Sequence, residues 1–76
     1  MDEKALRLLI ENGAVKKVNI IGRGGSLFVE VLTQSGAHIV TTQKGQMKTW
    51  ANINTAAKWI HSLGIGIITL KIAKWQ

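Results

Sequence analysis

Apolar residues repeat with the period of a helix in two segments of the chain, residues 2–12 and 55–63. Asp2 stands at the start of the first segment and is a candidate N-cap. Asn54 precedes the second segment in the same role, and Gly64 follows it as the expected C-terminal glycine. The pattern therefore predicts an early helix and a second helix late in the chain.

Shorter segments alternate apolar and polar residues with the period of a strand. The strongest covers residues 27–33, where both faces are largely apolar, as is typical of a central strand. Residues 15–22, 37–42 and 66–73 show the same alternation, and residues 47–51 are a candidate short strand. Turns that contain glycine or other turn-forming residues separate these segments.

The element order α-β-β-β-(β)-α-β predicts an α+β fold. We expect a small antiparallel sheet of three to five strands with two helices packed on one face. The last strand is expected beside the first hairpin or at an edge of the sheet. The chain has 76 residues, which fits a single small domain spanning 1–76.

Composition narrows the class of protein. There are no cysteines, so disulfides, thiolate metal sites and thiol nucleophiles are ruled out. No apolar run reaches the ~18 residues that a membrane span needs. The first residues, Asp2, Glu3 and Lys4, do not resemble the basic start of a signal peptide. We therefore expect a cytoplasmic globular domain.

Charge is distributed unevenly along the chain, whose formal net charge is +6. After residue 11, Glu30 is the only acidic residue among eight basic ones. Such a surplus attracts polyanions and predicts phosphate contacts with a nucleic acid. The alternative is that the lysines serve solubility and protect sheet edges. The candidate contacts are Arg23, Lys16, Lys17, Lys44, Lys48, Lys58, Lys71 and Lys74.

Arg23 is the leading candidate, because it lies in the glycine-rich segment 22–26. This segment does not continue as a phosphate-binding loop, since a strand follows it instead of a helix. A hairpin tip that presents Arg23 to a phosphate is the preferred interpretation. Trp50 and Phe28 are the candidates for stacking on bases, whereas Trp75 is expected to pack on the sheet or on a partner chain.

Enzymatic chemistry is not indicated. His38 and His61 are the only side chains suited to acid–base catalysis near neutral pH, and neither has a nearby carboxylate in the sequence. No ligand spacing typical of a metal site is present. We expect neither a catalytic residue nor a cofactor.

Residues 26–64 resemble a known architecture, since three short strands lead through Trp50 into a capped helix containing Ala-Ala-Lys-Trp-Ile. The arrangement is similar to the three-stranded-sheet-plus-helix DNA-binding domains of tyrosine recombinase N-termini and AP2-type proteins. This resemblance implies a sheet lying in the major groove. On that analogy the DNA-facing residues are Phe28, Glu30, His38 and Val40, or their neighbours on the opposite face.

A closer resemblance covers about residues 24–76. The run Trp50-Ala-Asn-Ile-Asn-Thr-Ala-Ala-Lys-Trp-Ile-His-Ser-Leu-Gly-Ile, followed by a strand and Trp75, resembles small partition-associated (ParC-like) proteins of bacterial plasmids and integrated conjugative elements. This resemblance implies a role in the maintenance of a plasmid or mobile element, and it carries no catalytic residue.

Two functions are therefore expected. The first is a non-enzymatic accessory protein that binds nucleic acid, with DNA preferred. The second is a protein-interaction module that homodimerises, or binds an acidic protein partner, through an apolar sheet face, the last strand or Trp75.

Overall fold

The computed structural model describes residues 1–74, and the side chains of residues 1–72. Two helices and five strands form the α+β fold that the sequence predicts. In chain order the elements are α1 (Glu3–Glu11), β1 (Lys17–Arg23), β2 (Ser26–Thr33), β3 (Gly36–Ile39), β4 (Thr49–Trp50), α2 (Ile53–Ser62) and β5 (Thr69–Lys74).

Helix α1 begins and ends where local chemistry predicts. The Asp2 carboxylate accepts a hydrogen bond of 2.9 Å from the backbone N–H of Ala5, which satisfies one of the free donors of the first turn. Gly13 follows the helix with a φ of +67°, a conformation that costs little only without a Cβ. The predicted N-cap of this helix is thus confirmed.

Helix α2 has a different N-cap from the predicted one. The Asn52 side chain, and not that of Asn54, accepts a hydrogen bond of 2.8 Å from the backbone N–H of Thr55. Asn54 lies inside the first turn, because the helix already begins at Ile53. The prediction of Asn54 was therefore wrong by two residues, whereas Gly64 does follow the helix, with a φ of +93°.

The strands lie in the order β3-β2-β1-β5, and the short β4 pairs with β2 next to β3. Strand β2 is therefore central, as its two apolar faces predict. The two-residue turn between β1 and β2 is formed by Gly24 and Gly25, both with positive φ, as a type I′ hairpin requires. Arg23 and Ser26 flank this turn as a cross-strand pair.

Strand β5 lies at an edge beside β1, in one of the two positions expected, but it runs parallel to β1. The sheet is therefore mixed and not wholly antiparallel. A parallel neighbour requires a long crossover connection, and α2 lies in the segment that leads to β5. The register shifts between Ile21 and Arg23, where a bulge interrupts the pairing.

The hydrophobic core lies between the two helices and one face of the sheet. Alternate residues of β1 and β2 fill it, and they meet apolar residues of both helices. Trp59 joins the helices directly, since its indole N–H donates a hydrogen bond of 3.1 Å to a Glu3 carboxylate oxygen. The fully or nearly buried apolar residues are Leu6, Val18, Ile20, Leu27, Val29, Val31, Val40, Ala56, Ile60 and Leu63.

Neither α1 nor α2 is long and apolar enough to cross a membrane, and no other helix occurs within residues 1–74.

Candidate nucleic-acid interface

The face of the sheet that points away from the helices is not covered by any helix in residues 1–74, and we call it the open face. Strand register defines its members, because residues paired across strands share a face. Along β1 and β2 they alternate with residues of the core. The open face comprises Lys17, Asn19, Ile21, Arg23, Ser26, Phe28, Glu30, Leu32, Ala37, Ile39, Thr49, Thr69 and Lys71.

The open face is basic at its periphery. Lys17 and Arg23 mark the two ends of β1 and are exposed, and Lys71 is exposed on the neighbouring strand, paired with Ile21. Lys17 and Arg23 are six residues apart on one strand, which corresponds to about 20 Å. Glu30 is the only acidic residue of this face. These three cations therefore lie at the margins of a surface that is wide enough for several phosphates.

Arg23 and Phe28 form the most distinctive pair of the open face. They lie on adjacent antiparallel strands, and the guanidinium carbon is 5.9 Å from the centre of the phenyl ring. An arginine beside a half-exposed aromatic ring combines a phosphate contact with a stacking surface. Both residues were predicted from the sequence, and the fold brings them together.

A groove of about 430 Å³ runs over this pair. Ile39 and Met47 also line it, and Thr49 adds a hydroxyl group. The volume is within the usual range of sites for small molecules. The groove is therefore apolar on its walls and carries one cation, Arg23, and one carboxylate, Glu30.

Asn19 and Glu30 form a polar pair in the middle of the sheet. The Asn19 side-chain amide donates a hydrogen bond of 2.9 Å to one oxygen of the Glu30 carboxylate. Asn19 is 0% exposed, and its own oxygen Oδ1 is buried without a hydrogen-bond partner among the described residues. An unsatisfied buried acceptor costs about 1–3 kcal/mol, so this arrangement is not explained by stability alone.

The other predicted cations lie elsewhere. Lys16 is exposed just before β1, Lys44 is in the turn after β3, and Lys58 is exposed on α2. The Cα of Lys74 pairs with that of Arg23 in the sheet, but its side chain is outside the described part of the chain. The predicted set thus divides between the open face and the rest of the surface.

Lys48 and Trp50 belong to the helix side of the sheet. The Lys48 ammonium group lies 4.8 Å from the ring centre of Trp59 and 5.6 Å from that of Trp50. The two indole rings are 5.2 Å apart and tilted by 46°. Lys48 is engaged with aromatic rings, and Trp50 packs at the border of the core.

Glu3 joins this cluster on the helix side. Arg7 donates a hydrogen bond to its carboxylate, and Trp59 donates a second. These two hydrogen bonds, that of Arg7 above all, lower the pKa of Glu3 below its ordinary value, and the positive charges of Arg7 and Lys48 add to the effect. The cluster links α1 to α2 and is directed away from the open face.

The fold places on two different faces the four residues that the resemblance to three-stranded DNA-binding domains predicts to face DNA. Phe28 and Glu30 lie on the open face, but His38 and Val40 point to the helix side, where Val40 is fully buried. His38 instead contacts the hydroxyl of Ser35 at 3.0 Å, near the turn between β2 and β3. These four residues therefore do not share one face of the sheet.

The histidines do not meet other potential ligands. His61 is exposed in the last turn of α2, far along the chain from any acid. Within residues 1–74, no three side chains from the set His, Asp and Glu come together in a way that could hold a metal ion.

Sequence reasoning did not single out the Asn19–Glu30 pair or the groove. The alternation of β1 and β2 already placed Asn19 and Glu30 opposite to the core. The contact between them depends on the register of the two strands, which the turn at Gly24 and Gly25 sets. The place of Met47 in the groove depends on the path of the chain between β3 and β4, which local sequence patterns do not determine.

Comparisons of the chain with protein-family models, with curated proteins and with solved structures find no match. The resemblance to partition-associated proteins stays a prediction.

Proposed function

We propose that this protein is a non-enzymatic accessory protein that binds nucleic acid, with DNA as its ligand, through the open face. The observation that carries the proposal is that Lys17, Arg23 and Lys71 lie on the same face of the sheet as the half-buried ring of Phe28, which Arg23 contacts. Positive charge and an aromatic platform on one uncovered surface are the two features that a nucleic-acid strand requires.

Electrostatics supports this choice over a neutral ligand. The chain has a formal net charge of +6, and the open face contributes three cations against one carboxylate. Lys and Arg side chains that neutralise phosphates release the cations condensed on the nucleic acid, and this release drives binding at low salt. Solubility alone does not explain why an arginine lies beside the aromatic ring on the same face.

The biological setting belongs to the same proposal. The resemblance of residues 24–76 to partition-associated proteins favours a role in the maintenance of a plasmid or mobile element. A small basic protein without catalytic groups fits an accessory role in such a system, in which it binds DNA and leaves the chemistry to other proteins.

A salt series of binding measurements tests the proposal. Fluorescence anisotropy of labelled single-stranded and duplex DNA is followed from about 20 mM to about 300 mM salt. We expect the logarithm of the affinity to fall linearly with the logarithm of the salt concentration, by about 0.7–0.9 per phosphate contacted. Absence of binding at the lowest salt would contradict the proposal.

A second candidate function is self-association through β5. This strand is at an edge of the sheet, and apolar side chains are exposed on it and before it: Ile67 is 86%, Leu70 42% and Ile72 47% exposed. A second copy of the chain that pairs along this edge would cover them. The two candidates are compatible, because edge pairing would extend the open face across both copies.

Sedimentation velocity of the wild type and a Leu70→Lys variant tests this second candidate. We expect a dimer for the wild type at micromolar concentration and a monomer for the variant. A wild-type monomer at every concentration tested would rule out self-association.

A further inference from the structure

We propose that the groove of the open face holds one unpaired nucleobase that carries an exocyclic amino group, stacked on Phe28 with its edge toward the Glu30 carboxylate. This inference rests on the proposed function and specifies its ligand: single-stranded nucleic acid with a preference for amino-bearing bases. It accounts for the one acidic residue in an otherwise basic surface.

The shape of the groove favours a flat apolar ligand. Phe28 lies on the central strand of the groove, with Arg23 on the neighbouring strand β1 and Ile39 on the neighbouring strand β3. Met47 also lines the space of about 430 Å³, which is open to solvent. A base inserted there would stack on the phenyl ring in place of the Arg23 guanidinium, which would move to the phosphate of the same nucleotide. Bases within a duplex are stacked on each other, so only an unpaired base offers its face.

The polar groups of the groove determine which edge of the base is accepted. Glu30 lies two residues from Phe28 on the same strand and face, a spacing of about 7 Å. Its carboxylate offers only hydrogen-bond acceptors, so it favours the amino groups of cytosine, adenine and guanine. The edge of thymine carries two carbonyl oxygens around its single N–H, which a carboxylate repels.

Asn19 is the positioning residue of this arrangement. Its amide donates to one oxygen of Glu30 at 2.9 Å and fixes the direction of the carboxylate, leaving the second oxygen with no side-chain partner among the described residues. Glu30 makes no ion pair with a described cation, although Lys17 and Lys71 share its face. An acid that is oriented but not neutralised is available to a ligand.

The experiment compares dC12 with dT12, two single strands of pyrimidines that differ in the amino group. Binding is measured by anisotropy at low salt for the wild type and for Glu30→Gln, a substitution of equal size that can both donate and accept. We expect the wild type to bind dC12 roughly tenfold more tightly than dT12. Glu30→Gln should reduce the ratio to about one, mainly through stronger binding of dT12.

A Glu11→Gln variant is the control, because it removes one negative charge as Glu30→Gln does but lies on α1, away from the groove. We expect it to keep the wild-type ratio. Equal binding of dC12 and dT12 by the wild type, or an unchanged ratio in Glu30→Gln, would overturn the inference and leave the proposed function intact. Tighter binding of a duplex than of either single strand would also overturn the inference and leave the proposed function intact. Absence of binding to every DNA would overturn both.

Discussion

At the scale of single residues, the account depends on the contact between Arg23 and Phe28. Removal of the ring by Phe28→Ala should weaken the binding of single-stranded DNA by about 10- to 100-fold, because stacking of one base contributes roughly 1–3 kcal/mol. Titrations at fixed salt measure the effect. The ring is half-buried on the open face and lies outside the core, so the fold should persist.

The salt dependence separates the two members of this pair. Phe28→Ala should leave the slope of affinity against salt unchanged, since the ring neutralises no phosphate. Arg23→Ala should reduce that slope by about 0.7 for a single strand. If both variants changed the slope equally, the separate roles of ring and guanidinium would be refuted.

The lowered pKa of Glu3 predicts that the stability of the fold depends on pH. This pKa is lowered in the folded protein by the hydrogen bonds from Arg7 and Trp59, so the ionised form stabilises the fold. That stabilisation is present above the ordinary carboxyl pKa of about 4.3 and is lost as pH falls through the lower folded value. The side chain is 41% exposed, so solvent limits the contribution to about 1 kcal/mol or less.

Urea unfolding at pH 7 and at pH 3 measures this contribution. Glu3→Gln should lower the free energy of unfolding at pH 7, and its difference from the wild type should be smaller at pH 3. Glu11→Gln is the matched control, because Glu11 is exposed at the end of the same helix and makes no hydrogen bond with a described side chain. A variant Glu3→Gln as stable as the wild type at pH 7 would contradict the proposed link between the helices.

At the scale of elements, substitutions at the N-terminus of α2 test where the helix begins. Asn52→Ala should destabilise the protein by about 1 kcal/mol, because the side chain caps the backbone N–H of Thr55. Asn54→Ala should have little effect, since Asn54 is exposed within the first turn. Thermal unfolding of both variants checks the assignment, and the reverse order of stabilities would restore Asn54 as the cap.

The sequence predicted most helices and strands because the patterns that indicate them lie within each segment. Alternation of side chains placed Val29 and Phe28 on opposite faces of β2, and Asp2 and Gly13 marked the limits of α1. The cap of α2 was misplaced because Asn52 and Asn54 are chemically equivalent candidates two residues apart. Only the position at which the chain enters the helix distinguishes them.

Contacts between elements that are far apart in the sequence could not be predicted from local patterns. The parallel direction of β5 follows from the path of α2 over the sheet, and its alternation of Leu70 and Lys71 is the same in either direction. The position of Lys48 over Trp59 likewise depends on the packed tertiary structure, and the sequence alone could not indicate it. For the same reason the sequence indicated which residues were basic, but not which of them share a face.

At the scale of the whole molecule, both helices pack on one side of the sheet, and within residues 1–74 no helix covers the other side. One face of the sheet supplies the apolar residues of the core. Residues on the opposite face, such as Arg23 and Phe28, are therefore not required for the core. Lys17 and Lys71 lie on that face, whereas Lys4 and Lys58 are exposed on the two helices. The chain thus offers two pairs of lysines of equal charge on opposite sides of the molecule.

The most direct test of the account compares these pairs by substitution. Lys17→Ala/Lys71→Ala and Lys4→Ala/Lys58→Ala each remove two positive charges, and binding of a labelled single strand is measured across a salt series. We predict that the first variant loses about tenfold or more in affinity at low salt, with a slope smaller by about 1.4, while the second stays close to the wild type. Equal losses in both variants, or a larger loss in the helix variant, would contradict the claim that the open face binds nucleic acid.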